Sequence, residues 1–241
     1  NGYPVKYPID RNADDFEATV FMSAFPNKVI ESAKKFFGRY FPELEPEFHS
    51  TTVVYFDVFR HLFPDEGSFI IVHVSGETTD VSVVKNDIIT ETISFPLGRN
   101  FIIRKLIGEV KGIDSSIALS MIQVYSEGNV SPKYSVKLKE ILSQAESDWV
   151  ELFADSMRDF SKDFFLPTKV FVIAGDNSAS VFASLISKSQ LQVRGTGTPT
   201  IVAEAIDHPL FDGLVNMGQV ERRDLFLAAE AVFAERRYFK N

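Results

Sequence analysis

The chain has 241 residues, of which 45% are hydrophobic and 24% are charged, and it contains no cysteine. These values are typical of a globular protein with a sizeable core, and they exclude a disordered, fibrous or disulfide-stapled chain. The net charge of −8 comes from 33 acidic and 25 basic residues without a basic cluster, which argues against nucleic acid as a partner. Because thiol chemistry is excluded, we expect no thiolate metal site, and we expect a cytoplasmic protein.

Neither a membrane-spanning segment nor a signal sequence is predicted. The most apolar stretches are residues 69–74 and 225–234, and both are far shorter than the ~20 residues that a spanning helix needs. The N-terminus lacks the charged and then apolar pattern of a leader. Since the chain begins with Asn1 rather than Met, we expect it to begin inside a larger protein.

The first part of the chain predicts one strand and two helices. Apolar residues at every second position predict a strand near 15–23. Pro26 then opens a helix with an apolar stripe at three- and four-residue spacing. The residues of this stripe are Val29, Ile30, Ala33, Phe36 and Phe37. Ser50 can cap a second helix that ends before Pro64, although its β-branched residues also allow a strand.

The middle of the chain predicts three consecutive antiparallel strands. The continuous apolar run at 69–72 indicates a strand that is covered on both faces. It is followed by a small polar loop at 75–79 and by β-rich segments at 81–84 and 88–95. Between the last two segments, Lys85-Asn86-Asp87 can adopt the positive φ of a tight turn.

The rest of the chain alternates between helices and a strand. A helix at 101–110 is closed by a glycine, and residues 113–166 are mostly helical. Within them, the apolar stripe from Leu138 to Phe164 predicts one long amphipathic helix or two in series. A buried strand at 169–174 leads through Gly175-Asp176-Asn177-Ser178 into a helix, an order that can cradle a phosphate or nucleoside. The segment 225–233 predicts an apolar helix.

The loop after the first buried strand is the most informative segment. Small and hydroxyl residues there leave backbone N–H groups that can bind a phosphate. The stretch 71–84, which contains His-Val-Ser-Gly-Glu-Thr-Thr-Asp, resembles the second phosphate-binding motif of bacterial actin-like ATPases, in particular the FtsA and PilM families. The family pattern is Asp-x-Gly-x-Gly-Thr-Thr-Asp followed by a hairpin. Residues 96–100 resemble the family's Pro-x-Gly-Gly-Asn turn, 169–178 its adenosine motif, and 225–233 its closing helix.

The resemblance implies an α/β fold, actin-like (ribonuclease H-like), in which mixed sheets are flanked by helices and interrupted by a mostly helical insertion. It covers roughly residues 1–110 and 150–235. The implied parts are the end of an FtsA-type inserted subdomain with the return to the first actin-like subdomain (1–66), the second actin-like subdomain (67–112 and 167–223), the helical insertion (113–166) and the closing helix (224–241).

The resemblance also implies a nucleotide site that this chain has altered. The implied nucleotide-binding residues are Ser75, Gly76, Thr78, Thr79, Asp80, Gly175, Asn177 and Ser178. His73 stands where the family has an aspartate that organises the metal-bound water, and neutral imidazole is a poor Mg²⁺ ligand. Ser75 and Glu77 replace the motif glycines. We expect Glu77 to repel a triphosphate, since two like charges at ~4 Å cost a few kcal/mol at an effective dielectric near ~20.

Other kinds of site find less support in the sequence. His73, Glu77 and Asp80 run from a strand into a loop, a geometry that does not gather positions i, i+4 and i+7 around a metal as a helix would. No Ser–His–Asp set and no sugar-binding carboxylate pattern is evident, so neither a hydrolase nor a sugar kinase is predicted. The stripe around Trp149 predicts a core-facing helix rather than a partner-binding one.

The resemblance therefore implies a cytoplasmic scaffold of cell division or of envelope or pilus assembly, with a degenerate nucleotide site and no cofactor. It would act by recruiting protein partners or by self-assembly, at the inner face of the cell membrane. The alternative is an active ATPase that binds ATP with magnesium and is completed by a segment preceding Asn1. Arg236, Arg237 and Lys240 could suit an anionic membrane, but the match to the closing helix favours burial.

Overall fold

The computed structural model describes residues 14, 20–129, 131–161, 165–175, 178–189, 201–216 and 224–239. The chain divides into two compact units, residues 1–47 and 48–241.

The first unit contains the helix that the sequence predicts after Pro26. Helix α1 spans Asn27–Tyr40, and its stripe residues Val29, Phe36 and Phe37 are exposed rather than buried. Of the strand predicted near 15–23, residues 15–19 lie outside the described part and residues 20–23 are irregular. Alternating apolar residues form a strand only beside a hydrogen-bonded neighbour. The described residues of this unit provide no such neighbour.

The second unit begins with helix α2, Thr51–Leu62. The Val53 N–H donates to Ser50 Oγ over 3.4 Å, so the predicted N-cap is confirmed and the alternative of a strand is wrong. Val54, Tyr55, Val58 and Phe59 recur at helical spacing and are buried.

The sheet of this unit has five strands. They are β1 (Phe69–Val74), β2 (Thr79–Lys85), β3 (Ile88–Phe95), β4 (Lys169–Ala174) and β5 (Val202–Ala205). Their order is β3-β2-β1-β4-β5. The β1–β2 and β2–β3 pairs are antiparallel, whereas β1–β4 and β4–β5 are parallel. The predicted turn between β2 and β3 is confirmed, since Asn86 and Asp87 have φ of 49° and 63°.

The described helices of the second unit that follow β3 lie on both faces of the sheet. They are α3 (Arg99–Glu109), α4 (Ser115–Ser126), α5 (Pro132–Phe160), α6 (Ala179–Lys188) and α7 (Leu225–Ala234), with short 3₁₀ and π segments at His208–Phe211 and Glu235–Phe239. The segment 113–166 is thus mostly helical, as predicted, and residues 138–160 of the predicted stripe lie on the single long helix α5. None of the helices in the described ranges combines the length and apolarity that crossing a bilayer requires.

The two faces of β1 and β4 bury different residues, which explains their continuous apolar sequences. Ile70, Val72 and Val74 belong to a core with residues of α3, α5 and α6. Phe69 and Ile71 belong to a second core with residues of α2 and α7. Central strands covered on both faces lose the alternation of a half-buried strand.

The closing helix is buried, as the sequence predicts. Leu225, Ala228 and Val232 of α7 lie in the core that contains α2 residues. Beyond α7, Arg236 Nε donates to Asp57 Oδ2 on α2 over 3.0 Å. Lys240 lies outside the described residues. Helix α2 therefore packs against α7 within the second unit.

Trp149, the chain's single tryptophan, joins α5 to the sheet. Its ring is fully buried, stacks on Phe153 and lies 5.0 Å from Phe182 between ring centroids. The indole N–H donates to Thr79 Oγ1 over 3.1 Å. The Thr79 hydroxyl in turn donates to the Leu97 carbonyl over 2.7 Å. One buried hydroxyl thus links α5, β2 and the segment that precedes α3.

We expect Thr79→Val to lower the free energy of unfolding by about 1–3 kcal/mol, because it removes the hydrogen-bond partner of the buried indole N–H and of the partly buried Leu97 carbonyl. Thr79→Ser keeps both hydrogen bonds and is the matched control, with a smaller loss from the missing methyl group. Urea unfolding followed by Trp149 fluorescence measures both variants. Equal stability of Thr79→Val and the wild type would contradict this account.

Candidate functional site

Two loops leave the same edge of the sheet side by side. The strands β1 and β4 are parallel neighbours, and Val74 pairs with Ala174 at their carboxyl ends. Residues 75–78 follow β1, and Gly175 and Ser178 follow β4. The carboxyl ends of parallel strands are where open α/β sheets bind ligands. The sequence-predicted loops are therefore neighbours in the structure.

The loop at 75–78 uses its own polar groups. The Ser75 N–H donates to the Thr78 carbonyl over 2.9 Å. The Thr78 N–H donates to Ser75 Oγ over 3.1 Å, and the Ser75 hydroxyl lies 2.9 Å from the Thr78 carbonyl. The serine that replaces a motif glycine therefore closes the loop, and two N–H groups that could face a phosphate are already bonded.

The start of α3 docks on this loop. The N–H groups of Arg99 and Asn100 donate to the carbonyls of Ser75 and Gly76 over 3.0 and 2.9 Å. A Cβ on Gly98 would lie 2.5 Å from both carbonyl oxygens. Only glycine allows this approach, since a side chain would overlap the backbone. The segment that resembles the family's Pro-x-Gly-Gly-Asn turn thus satisfies the first N–H groups of α3.

The Glu77 carboxylate is held by α3. It accepts hydrogen bonds from Asn100 Nδ2 over 3.0 Å and from Arg104 Nη1 and Nη2 over 2.9 and 3.0 Å. These hydrogen bonds, that of Arg104 first, lower the pKa of Glu77 to about 2. From the sequence we expected Glu77 to repel a triphosphate, but Arg104 offsets the negative charge of its carboxylate. The spacing of Asn100 and Arg104, one helical turn apart, was the available signal.

His73 and Asp80 form a second polar group beside the loop. His73 Nδ1 lies 3.2 Å from Asp80 Oδ2, and the Ser94 hydroxyl donates to Asp80 Oδ1 over 2.5 Å. Burial raises the pKa of Asp80, but the hydrogen bonds with His73 and Ser94 together outweigh it, so the pKa of Asp80 is lowered. The His73 ring packs against Tyr55 and Phe226. Asp80 is thus already engaged by protein groups.

The remaining predicted residues have different surroundings. Thr79 lies in the core, where its donor is used by Leu97. Thr78 Oγ1 lies 3.0 Å from Ser75 Oγ. Ser178 is buried, and its hydroxyl donates to the Gly175 carbonyl over 2.7 Å. Asn177 lies outside the described residues, among which no group of three or more His, Asp or Glu could hold a metal ion.

The Arg99 guanidinium packs against Gly175. A Cβ on Gly175 would lie 2.6 Å from Arg99 Nη1 and 3.3 Å from Phe226 Cε2. The residue at position 99 is a glycine in the family motif that the segment resembles. Arginine there places a large side chain against the second loop, in space that glycine would leave open. The sequence shows that the motif glycine is absent at position 99, but it does not show that Arg99 contacts Gly175.

The buried side chain of Tyr55 packs against His73. Tyr55 is 1% exposed, and its hydroxyl has no hydrogen-bond partner among the described residues. Burial raises the pKa of Tyr55, and the carboxylates of Glu230, Asp224 and Asp80 raise it further. Asp224 caps α7 by accepting from the Phe226 N–H over 2.8 Å. This acidic surrounding opposes an additional anion near Tyr55.

No family model matches the sequence, and no curated protein matches it at a significant level. Solved structures with a similar fold include the following three. A PilM–PilN type IV pilus biogenesis complex has 10% identity and a TM-score of 0.51 over 77% of this chain and 64% of the other. The ethanolamine utilization protein EutJ from Carboxydothermus hydrogenoformans has 17% identity and a TM-score of 0.49 over 76% and 53%. The archaeal actin homolog Ta0583 has 13% identity and a TM-score of 0.44 over 77% and 54%.

The fold is similar to that of the PilM–PilN complex, and the actin-like α/β fold that the sequence resemblance predicted is confirmed. PilM, which the resemblance also named, is among the structural neighbours. The chain spans between about half and two thirds of the length of these neighbours. At these identities the likeness establishes the fold alone.

We expect Glu77 to make the stability of the unit depend on pH between 4.5 and 2. Its pKa is lowered from 4.5 to about 2, so its contribution is present above pH 4.5 and is lost as pH falls toward 2. The difference in free energy of unfolding between the wild type and Glu77→Gln should therefore shrink across this range. Glu109→Gln, at the other end of α3, is the matched control, and a constant difference for Glu77→Gln would contradict the assignment.

Proposed function

We propose that the protein is an actin-like scaffold of cell division or of envelope or pilus assembly with a degenerate nucleotide site, a pseudo-ATPase. It recruits protein partners or assembles with itself. The observation that carries this proposal is the packing of the Arg99 guanidinium against Gly175, between the two loops from which a nucleotide would be bound.

The polar groups around the two loops support the same proposal. A triphosphate with Mg²⁺ needs free backbone N–H donors and a carboxylate or water shell for the metal. Here the N–H groups of Ser75 and Thr78 are bonded within their own loop. Asp80 is engaged by His73 and Ser94. The site satisfies itself without a ligand, and we propose that it binds no cofactor.

The partner class is proposed from the neighbours and the sequence resemblance. PilM is solved as a complex with PilN in type IV pilus biogenesis, which favours a protein partner for a chain of the same fold. The resemblance to the FtsA family extends the proposal to cell division. We place the protein in the cytoplasm, at the inner face of the cell membrane, where such partners assemble.

A second candidate, an active ATPase, is favoured by the charges of the site. Arg104 offsets the negative charge of Glu77, and Arg99 brings a cation to the edge of the Gly175 loop. If a segment beyond this chain supplied the missing groups, Arg99 would contact a phosphate. The two candidates predict opposite effects of removing Arg99.

We expect calorimetric titration with ATP to show no saturable, magnesium-dependent binding at micromolar concentrations, and we expect Arg99→Ala not to weaken any residual affinity. The reason is that the guanidinium fills the space beside Gly175 rather than serving a phosphate. Arg158→Ala, an exposed arginine of α5, is the matched control. Magnesium-dependent micromolar binding that falls at least tenfold in Arg99→Ala alone would establish the ATPase instead.

The scaffold role predicts specific protein association. Affinity purification of the tagged chain from crosslinked native cells should enrich division or pilus-assembly proteins over a tagged unrelated bait. Sedimentation velocity should detect assembly if the chain associates with itself. A monomeric chain that enriches none of these proteins would contradict the role, whatever the nucleotide titration shows.

A further inference from the structure

A groove of about 630 Å³ lies between α4 and the first turns of α5. Apolar residues line it from both helices. They include Ile117, Met121 and Val124 of α4 and Leu138 and Ile141 of α5. Both helices pack on the core that includes α3 and α6, so the groove lies on the side of the sheet that these helices cover. None of its lining residues belongs to the loops that follow β1 and β4.

The composition of α4 is unusual for a helix with an exposed face. Its twelve residues include no charged side chain, and Ile117 and Val124 are 47% and 42% exposed. Across the groove, Tyr134 is 65% exposed. A helix facing water normally carries charged residues on that side. Ile117, Val124 and Tyr134 thus leave apolar surface exposed to water on both walls of the groove.

The openness of the groove favours a macromolecule over a small ligand. A pocket for a small apolar ligand buries most of the ligand's surface, whereas the lining residues Ile117, Val124 and Tyr134 are exposed. Two helices form the walls, and a third helix laid between them would complete a bundle by packing its side chains into their grooves. The geometry therefore fits a helix.

The charge of the groove indicates which helix would fit. Among the described residues that line it, Lys137 is the only charged one. Asn129 and Ser131, at the start of α5, add polar groups at the same end. A partner with an acidic residue at that end would complement Lys137 and improve both association rate and specificity.

We infer that this groove binds an amphipathic helix of a partner protein, with apolar residues at helical spacing and an acidic residue that meets Lys137. The inference rests on the proposed scaffold function and names the surface that recruits the partner. A helix of this kind presents anchors at positions i, i+3 or i+4, and i+7. Those anchors would cover Ile117 and Val124, which the chain leaves exposed.

Three fluorescein-labelled peptides of about 18 residues, long enough to be helical in isolation, test the inference by anisotropy. One carries a leucine stripe flanked by glutamates, the second the same stripe flanked by lysines, and the third serines in place of the leucines. We expect the glutamate peptide to bind, the lysine peptide to bind about fivefold more weakly, and the serine peptide not to bind.

Variants of the protein locate the binding. Ile117→Glu and Val124→Glu should each weaken binding of the glutamate peptide at least tenfold. Lys137→Glu should reverse the preference, so that the lysine peptide binds more tightly than the glutamate peptide. Ile88→Glu places the same charge at an exposed residue of β3 and should change neither affinity. Trp149 emission and circular dichroism verify that each variant is folded.

Four outcomes would overturn the inference. They are equal weakening by Ile88→Glu and Ile117→Glu, no preference between the charged peptides, displacement of the peptide by palmitate at equal concentration, and a homodimer that Ile117→Glu dissociates. The ATP titration is independent of all four, because Ile117 lies outside the nucleotide loops. A negative result for peptide binding at the groove can thus be distinguished from a result that contradicts the proposed function.

Discussion

The parallel pairing of β1 with β4 determines where everything else in the second unit lies. Since Val74 pairs with Ala174, the loops that follow the two strands leave the sheet together, although they are about a hundred residues apart in the sequence. The same pairing buries Ile70 and Val72 on one face and Phe69 and Ile71 on the other. Helices must therefore cover both faces, and the strands become apolar throughout.

The docking of α3 on the first loop is the second constraint. It requires Gly98, whose Cβ would overlap two carbonyl oxygens, and it fixes the direction of every side chain in the first turns of α3. Arg104 thereby reaches Glu77, and Arg99 reaches Gly175. The same backbone arrangement brings protein side chains together beside both loops. The loss of nucleotide binding that we propose would follow from residues 75, 77 and 99 and would need no change of fold.

The sequence predicted the elements whose signals are local. The turn at Asn86 and Asp87, the cap at Ser50 and the continuous strand at 69–74 each follow from a short pattern. It could not predict contacts between distant residues, such as Trp149 with Thr79 or Arg99 with Gly175, because periodicity places a residue on a face but does not name its partner. The prediction of a strand near 15–23 is wrong for residues 20–23, which are irregular. Alternating apolar residues do not show whether a neighbouring strand is present to form the hydrogen bonds.

Helix α5 connects the two surfaces of interest. Lys137 lines the groove, and Trp149 lies twelve residues further along, about 18 Å along the helix axis, where its indole N–H bonds to Thr79. Coupling between two sites requires an element with two arrangements that both ligands bias. The bonds from Trp149 to Thr79 and from Thr79 to Leu97 join α5 to β2 and to the segment before α3, and all three groups belong to the protein itself. Under the proposed function, a partner helix would bind a groove that these contacts already support, and recruitment would not require nucleotide turnover.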